Sequence, residues 1–121
     1  MKVKIDTKEK FHVVTIQEPV LSANLAGELS QVILSFLDKT PKNVVINLGK
    51  VEKIDIMAAH TILAVQQTFY DNNCSLVICN IQPQIETYLD EKELLELMNV
   101  TPTESEAWDI VQMEEIEREF N

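Results

Sequence analysis

The N-terminal segment alternates between polar and apolar residues, and this pattern predicts β-structure. Residues 2–6 (KVKID) alternate one by one, and residues 11–16 (FHVVTI) are rich in β-branched and aromatic side chains. The polar residues 7–10 (TKEK) between the two segments are typical of a turn. We therefore expect the chain to begin with a hairpin of two antiparallel strands.

Two later segments have continuous apolar centres. Residues 43–48 (NVVINL) and 74–80 (CSLVICN) lack the alternation of a half-exposed strand. Each is therefore predicted to be a strand that is buried on both faces of a sheet. Residues 99–102 (NVTP) are expected to form a further short extended piece.

Between the predicted strands, apolar residues recur at helical spacing. In the segment 21–43 they are Leu25, Leu29, Val32 and Phe36. After residue 53 they are Ala58, Ile62, Val65 and Phe69. A helix start leaves backbone N–H groups without partners, so we expect Ser22 or Asn24 to cap the first helix and Asp55 the second. Pro41 ends the first pattern, and residues 71–73 (DNN) end the second.

Two further helices are predicted towards the C-terminus. Pro83 suits a first helical turn, and one face of that helix carries Ile85, Tyr88 and Leu89. A continuation through residues 93–98 (ELLELM) is expected after a break at residues 90–92 (DEK). Thr103 and Glu106 have the spacing of a capping box, and the inner side of the helix that follows is predicted to be Ala107, Ile110 and Val111.

The resulting order of elements, ββαβαβαβα, predicts an α/β fold. Strands joined by helices pair in parallel through right-handed crossovers. We expect a mixed, largely parallel sheet of about four or five strands, with an antiparallel strand from the N-terminal hairpin, and about four helices. The length of 121 residues fits one domain, so a single domain over residues 1–121 is expected.

A formal net charge of −10 narrows the range of expected partners. It repels phosphate backbones and anionic headgroups, so neither nucleic acid nor a membrane surface is an expected partner. Much of the negative charge lies in residues 88–98 (YLDEKELLELM) and 113–120 (MEEIEREF), which we interpret as solvated helix faces. No segment approaches the roughly 20 apolar residues of a membrane span, and no signal peptide is evident, so we expect a cytoplasmic protein without direct membrane insertion.

The residues of common catalytic and metal sites are missing or unsuitably spaced. Only two glycines are present, far apart, so neither a Walker loop nor a dinucleotide fingerprint is possible. His12 and His60 have no Cys, Asp or His neighbours at metal-ligand spacing. Cys74 and Cys79 are expected to point to opposite faces of a strand, which argues against a mutual disulfide. We therefore predict no enzyme activity and neither a cofactor nor a metal.

The helix start after Asp55 is more apolar than capping requires. The four residues that follow the cap are Ile56, Met57, Ala58 and Ala59. They either close the core over the edge of the sheet or form a contact surface for a partner. Both interpretations can hold at once, since a flexible Met suits an adaptable contact.

As a whole, the chain resembles the STAS family, the domain of bacterial anti-sigma-factor antagonists. The resemblance covers nearly the whole chain and rests on the order of the elements and on three segments. These are residues 44–55 (VVINLGKVEKID), 76–89 (LVICNIQPQIETYL) and 101–111 (TPTESEAWDIV).

In that family, the residues after the Ile-Asp pair typically read Ser-Ser-Gly-Leu, and a partner kinase phosphorylates the second serine. The matching positions in this chain are Ile56, Met57, Ala58 and Ala59. The resemblance therefore implies that Met57 occupies the acceptor position and that this chain has no phosphorylation site there. Asp55 matches the family's acidic residue.

The resemblance also implies a non-enzymatic regulatory domain whose protein partner is an anti-sigma-factor kinase. We expect the partner-binding residues to be Asp55, Ile56, Met57, Ala58 and His60. Ile56 and Met57 should then be at least partly exposed. Alternative functions are a subunit of a lipid or solute transport assembly and a small-ligand sensor.

Overall fold

The computed structural model describes residues 2–120 and begins with the predicted hairpin. Strand β1 (Val3–Thr7) pairs antiparallel with strand β2 (Phe11–Ile16). The backbone N–H of Lys8 donates to the carbonyl of Phe11 at 2.8 Å and closes the turn. The prediction of two antiparallel strands is therefore confirmed.

Three further strands extend this hairpin into a mixed sheet. They are β4 (Asn43–Asn47), β6 (Leu76–Cys79) and β7 (Val100–Thr101), and all run parallel to β2. The spatial order is β1-β2-β4-β6-β7. Val45 in β4 and Val77 in β6 are fully buried, as expected for strands covered on both faces. The predicted largely parallel sheet is confirmed.

Four α-helices within residues 2–120 cover the two faces of the sheet. They are α1 (Ala23–Ser35), α2 (Ile56–Asp71), α3 (Pro83–Glu91) and α4 (Glu104–Glu119). The crossovers from β2 through β4 and β6 to β7 advance in one direction, so right-handed connections place the first three helices on the same face. α4 follows the last strand and packs on the opposite face.

Side-chain caps begin two of these helices as the sequence predicts. The Oγ of Ser22 accepts a hydrogen bond from the N–H of Leu25 at 3.2 Å, so Ser22, and not Asn24, caps α1. The Oγ1 of Thr103 accepts from the N–H of Glu106 at 3.2 Å and caps α4.

The segment after α3 differs from the predicted helical continuation. In place of a helix over residues 93–98, the chain forms one short 3-10 turn at Leu95–Leu97. Glu93 has a φ of 60°, in the left-handed region, and this conformation cannot continue a right-handed helix. Helix α3 therefore ends at Glu91, within residues 90–92, where the break is predicted.

A small second sheet lies beside the start of α2. Strand β3 (Val20–Leu21) pairs in parallel with β5 (Lys53–Ile54). No periodic pattern in the sequence marks these strands, because two residues are too few to show a period. Their pairing is important because β5 leads directly into α2.

Candidate functional site

Asp55 caps α2 as the sequence predicts. Its backbone is extended, and its Oδ1 accepts a hydrogen bond from the N–H of Met57 at 2.9 Å. Its carbonyl accepts from the N–H of Ala59 at 3.0 Å, which is the first bond of the helix. A carboxylate at the positive end of the helix dipole adds to the stability of this start. Asp55 therefore stabilises the helix start that forms the site.

The small β3–β5 sheet fixes the position of the cap. The N–H of Asp55 donates to the carbonyl of Leu21 at 3.0 Å, and the N–H of Glu52 donates to the carbonyl of Pro19 at 2.7 Å. Leu21 and Ile54 are both buried in the core that lies below the three helices. The helix start is thus held to the body of the domain by hydrogen bonds and by apolar contacts.

The first turn of α2 divides into a buried side and an exposed side. Met57 is 59% exposed, and Ile56 is half-buried against the core. The prediction that both are at least partly exposed is confirmed. Ala58 and Ala59 are fully buried. The helical stripe that begins at Ala58 packs into the core, so the expectation that Ala58 belongs to a contact surface is wrong.

The exposed side of α2 continues beyond Met57. His60 is exposed one turn later and lies on the same side of the helix, as residues three apart do. The Oγ1 of Thr61 donates to the carbonyl of Met57 at 3.0 Å, so this hydroxyl is already engaged by the backbone. The surface at the helix start therefore consists of Asp55, Met57 and His60, with Ile56 at its margin.

An open groove lies beside this surface, between β5 and α3. Its volume is about 360 Å³, and its lining residues are Glu52, Lys53, Ile54, Gln84, Ile85 and Tyr88. The buried side chains of Ile54 and Ile85 contribute apolar surface to the groove. The sequence did not predict this groove, because it forms only when α3 packs beside a strand of two residues. The apolar face of α3 that carries Tyr88 was the one available signal.

Within residues 2–120, the strand order does not create a crevice of the usual α/β kind at this edge of the sheet. Such a crevice forms where successive crossovers diverge to opposite faces. Here β2, β4, β6 and β7 follow one another in a single direction, so the first three helices lie side by side. The surface at the start of α2 is thus suited to a flat contact with another molecule.

The two cysteine side chains lie away from this surface and are buried. Cys74 and Cys79 are free thiols in separate core clusters on opposite faces of the sheet, so the prediction against a mutual disulfide is confirmed. Burial raises the pKa of Cys79 to about 12 and also raises the pKa of Cys74. Both thiols are therefore protonated at neutral pH, a state in which a cysteine is a poor nucleophile.

His12 is buried, and both nitrogens of its ring have hydrogen-bond partners within the fold. Its Nε2 lies 2.7 Å from the carbonyl oxygen of Pro41, and its Nδ1 lies 2.9 Å from Oγ1 of Thr7. A carbonyl only accepts, so Nε2 carries the proton and Nδ1 accepts from the hydroxyl of Thr7. The ring of His12 also stacks on that of Phe36, and both of its nitrogens are occupied within the fold.

A family model described as the STAS domain matches residues 2–107. Among curated proteins, a comparison of sequences finds no match. Within residues 2–120, none of the helices has both the length and the apolar character required to cross a membrane.

Several solved structures have a similar fold. An anti-sigma factor antagonist from Mycobacterium paratuberculosis superposes with a TM-score of 0.77 at 17% identity, over 92% of this chain and 93% of that one. The Bacillus cell fate determinant SpoIIAA, in its phosphorylated form, superposes with a TM-score of 0.65 at 14% identity, over 91% of this chain and 99% of that one. The murine anion transporter Slc26a9, in the inward-facing state, superposes with a TM-score of 0.71 at 17% identity, over 89% of this chain but only 18% of the transporter. At these identities the likeness establishes the fold.

Proposed function

The chain belongs to the STAS domain family, and we propose that it is a non-enzymatic regulatory domain that binds a protein partner through the start of α2. The contact residues in this proposal are Asp55, Ile56, Met57 and His60. The observation that carries it is the 59% exposure of Met57 directly beside the capping carboxylate of Asp55. Capping needs no apolar side chain at this position, whereas an adaptable protein contact benefits from one.

The proposal includes the absence of a phosphorylation switch. The resemblance to anti-sigma-factor antagonists aligns Met57 with their acceptor serine. The thioether of Met57 cannot accept a phosphoryl group. The nearby hydroxyl of Thr61 donates to the backbone of Met57 and lies one turn further along α2. Phosphate would add about −1.5 to −2 charges beside Asp55. Without it, phosphorylation does not change the charge of this surface, and partner binding depends on the abundance of the partners.

An anti-sigma-factor kinase is the partner class that we propose. Anti-sigma factor antagonists are among the proteins with a similar fold, and another protein of this fold, the cell fate determinant SpoIIAA, is known in a phosphorylated form. The groove between β5 and α3 adjoins the helix start and offers space for an apolar side chain of the partner. A contact that combines Met57 with this groove would have an apolar centre and a polar margin, as specific protein interfaces do.

A second candidate function is a module within a transport assembly. The likeness to the murine anion transporter Slc26a9 favours it, because this chain superposes on one portion of that much longer protein. In that case the partner would be an integral membrane protein.

Comparative capture from a lysate of the native host tests the proposal and separates the two candidates. The parent protein is compared with Met57→Glu and with the matched control Leu97→Glu, because Met57 and Leu97 are both 59% exposed. We expect a soluble kinase to bind the parent and Leu97→Glu but not Met57→Glu. A partner found only in detergent-solubilised membranes would favour the transport assembly. A partner that binds all three proteins equally would place the contact surface away from the start of α2.

A further inference from the structure

A second exposed apolar surface lies on α4, on the opposite face of the sheet. Met113 and Ile116 are each 54% exposed, and Phe120, just after the helix, is 83% exposed. Spacings of three and four residues place all three on one side of the helix. We call this set the α4 stripe. Ala107 and Val111 are fully buried on the side that faces the sheet, so the stripe points directly away from the core.

Polar contacts on the inner side of α4 hold its C-terminal half in place. Oε1 of Glu114 accepts a hydrogen bond from the hydroxyl of Tyr70 at 2.8 Å. Arg118 donates to Oγ of Ser75 at 3.1 Å, and Ser75 directly precedes β6. The α4 stripe is therefore presented by a helix that is fastened to the domain along its length.

Acidic residues surround the α4 stripe. Asp109 lies one turn before Met113 on the same side of the helix, and Glu117 and Glu119 lie on either side of the line from Ile116 to Phe120. All three are exposed. The helix contains a single basic residue, Arg118, and that residue is directed inward. The surface is thus an apolar line with a negatively charged margin.

We infer that the α4 stripe binds a basic amphipathic helix of a partner protein. Apolar residues at spacings of three and four match the seam of a two-helix contact, and charges beside such a seam determine the choice of partner. Lysine or arginine beside the partner's own apolar line would complement Asp109, Glu117 and Glu119. A second copy of this chain would bring the same three carboxylates together and has the same net charge of −10, so it is disfavoured.

This surface is separate from the one proposed at the start of α2. The start of α2 lies on the face of the sheet covered by α1, α2 and α3, whereas α4 covers the other face. The α4 stripe also lies beyond residues 2–107, the part of the chain that matches the family model. Both surfaces are free to be occupied at the same time, so the domain has the geometry of a bridge between two proteins. The inference does not depend on the function proposed for α2.

Titration with two synthetic helical peptides tests the inference on the whole chain. Each peptide has about three heptads with Leu at the two seam positions, and the remaining positions are mainly Lys in one peptide and mainly Glu in the other. The α4 stripe should bind the Lys peptide and not the Glu peptide, with backbone NMR shifts confined mainly to α4. Ile116→Ser should weaken binding of the Lys peptide by about tenfold or more, since it removes buried apolar surface. The control Leu97→Ser should bind like the parent.

A second variant tests whether the carboxylates beside the α4 stripe are required for binding of the Lys peptide. Replacing Glu117 and Glu119 together by Gln leaves the apolar line intact and should weaken binding of the Lys peptide while reducing its dependence on salt. This double variant also keeps the inference testable if Ile116→Ser does not fold, because both glutamates are exposed.

Three results would overturn the inference. Unchanged binding of the Lys peptide to Ile116→Ser would show a general attraction to a negatively charged protein. Equal binding of the Lys and Glu peptides would show that charge does not select the partner. Sedimentation equilibrium that detects a dimer of the parent, absent in Ile116→Ser, would identify a second copy as the occupant.

Discussion

Asp55 and Met57 are joined by one hydrogen bond, yet they have different roles at the start of α2. Oδ1 of Asp55 accepts the backbone N–H of Met57 at 2.9 Å, while the side chain of Met57 is 59% exposed. The backbone of Met57 thus belongs to the helix cap, and its side chain is available for contact. The two roles are separable by substitution, because the cap uses no atom of the methionine side chain.

Removal of the cap should lower the stability of the fold. Asp55→Ala is expected to reduce the free energy of unfolding by about 1 kcal/mol, as loss of an N-cap side chain commonly does. Asp55→Asn keeps an acceptor oxygen and should cost less than Asp55→Ala, mainly through the lost interaction with the helix dipole. Urea denaturation of the three proteins measures both differences. Equal stability of Asp55→Ala and the parent would show that this hydrogen bond does not hold the helix start.

No phosphoryl group should be transferred to the start of α2. Incubation with ATP and a kinase captured by this protein is expected to leave the intact mass unchanged, because Met57 has no hydroxyl and that of Thr61 is bonded to the backbone. Met57→Ser restores an acceptor on the exposed side of the first turn and should gain one phosphoryl group. Phosphorylation of the parent at any of residues 55–61 would contradict the proposal that this surface has no phosphorylation switch.

His12 should make the fold less stable as the pH falls. Burial lowers its pKa from the ordinary value of 6.5, the hydrogen bond to the carbonyl of Pro41 opposes this shift, and the charge of Lys39 adds to it. The unfolded chain therefore binds a proton at His12 more readily than the folded chain does. This contribution to stability is fully present above pH 6.5 and is lost as the pH falls below that value.

A comparison with His12→Gln isolates this contribution from those of the carboxylates. Gln keeps a donor and an acceptor but does not titrate, so its unfolding free energy should change less than that of the parent between about pH 7.5 and about pH 5.5. Urea denaturation across this range is the measurement. Equal pH dependence of the two proteins would show that His12 has the same pKa in the folded and unfolded states.

The hydroxyl of Tyr70 links α2 to α4. It donates to Glu114 at 2.8 Å and accepts from Nδ2 of Asn99 at 2.6 Å. Tyr70→Phe removes the hydroxyl and with it the hydrogen bonds to Glu114 and Asn99. The substitution should lower the free energy of unfolding by about 1–2 kcal/mol. Tyr88→Phe is the matched control, because the hydroxyl of Tyr88 has no hydrogen bond to any residue within 2–120. A similar loss of unfolding free energy in the two variants would show that the Tyr70 hydroxyl does not help to hold α4.

The sequence predicts the elements that have a clear apolar pattern. The continuous apolar centres of β4 and β6, and the stripe from Ala58 to Phe69 on α2, are patterns that only burial on a sheet or along one helix face satisfies. The sequence also predicts Asp55 as a cap, since a carboxylate at that position satisfies an otherwise unpaired N–H.

The missed features depend on packing between distant segments. The β3–β5 sheet and the groove beside Tyr88 arise where short segments meet, and neither has a period of its own. On α4 the predicted inner side is confirmed, because Ala107 and Val111 are fully buried and Ile110 packs against the same cluster. The sequence does not predict the exposed apolar line of Met113 and Ile116, which the inward contacts of Glu114 and Arg118 leave on the outer side.

The central claim is that Met57 contacts a protein partner. Calorimetric titration of Met57→Asp with the partner captured by the parent protein tests this claim most directly, and thermal melting of the same sample measures its stability. An aspartate in the first helical turn gains about 0.3–1 kcal/mol from the dipole, and repulsion from Asp55 offsets much of that gain, so the melting temperature should change little. An apolar contact at Met57 would acquire a charge to desolvate, and the affinity should fall by about 3 kcal/mol, which is roughly a hundredfold. A stable variant that binds its partner with the affinity of the parent would contradict the claim that Met57 lies in the interface.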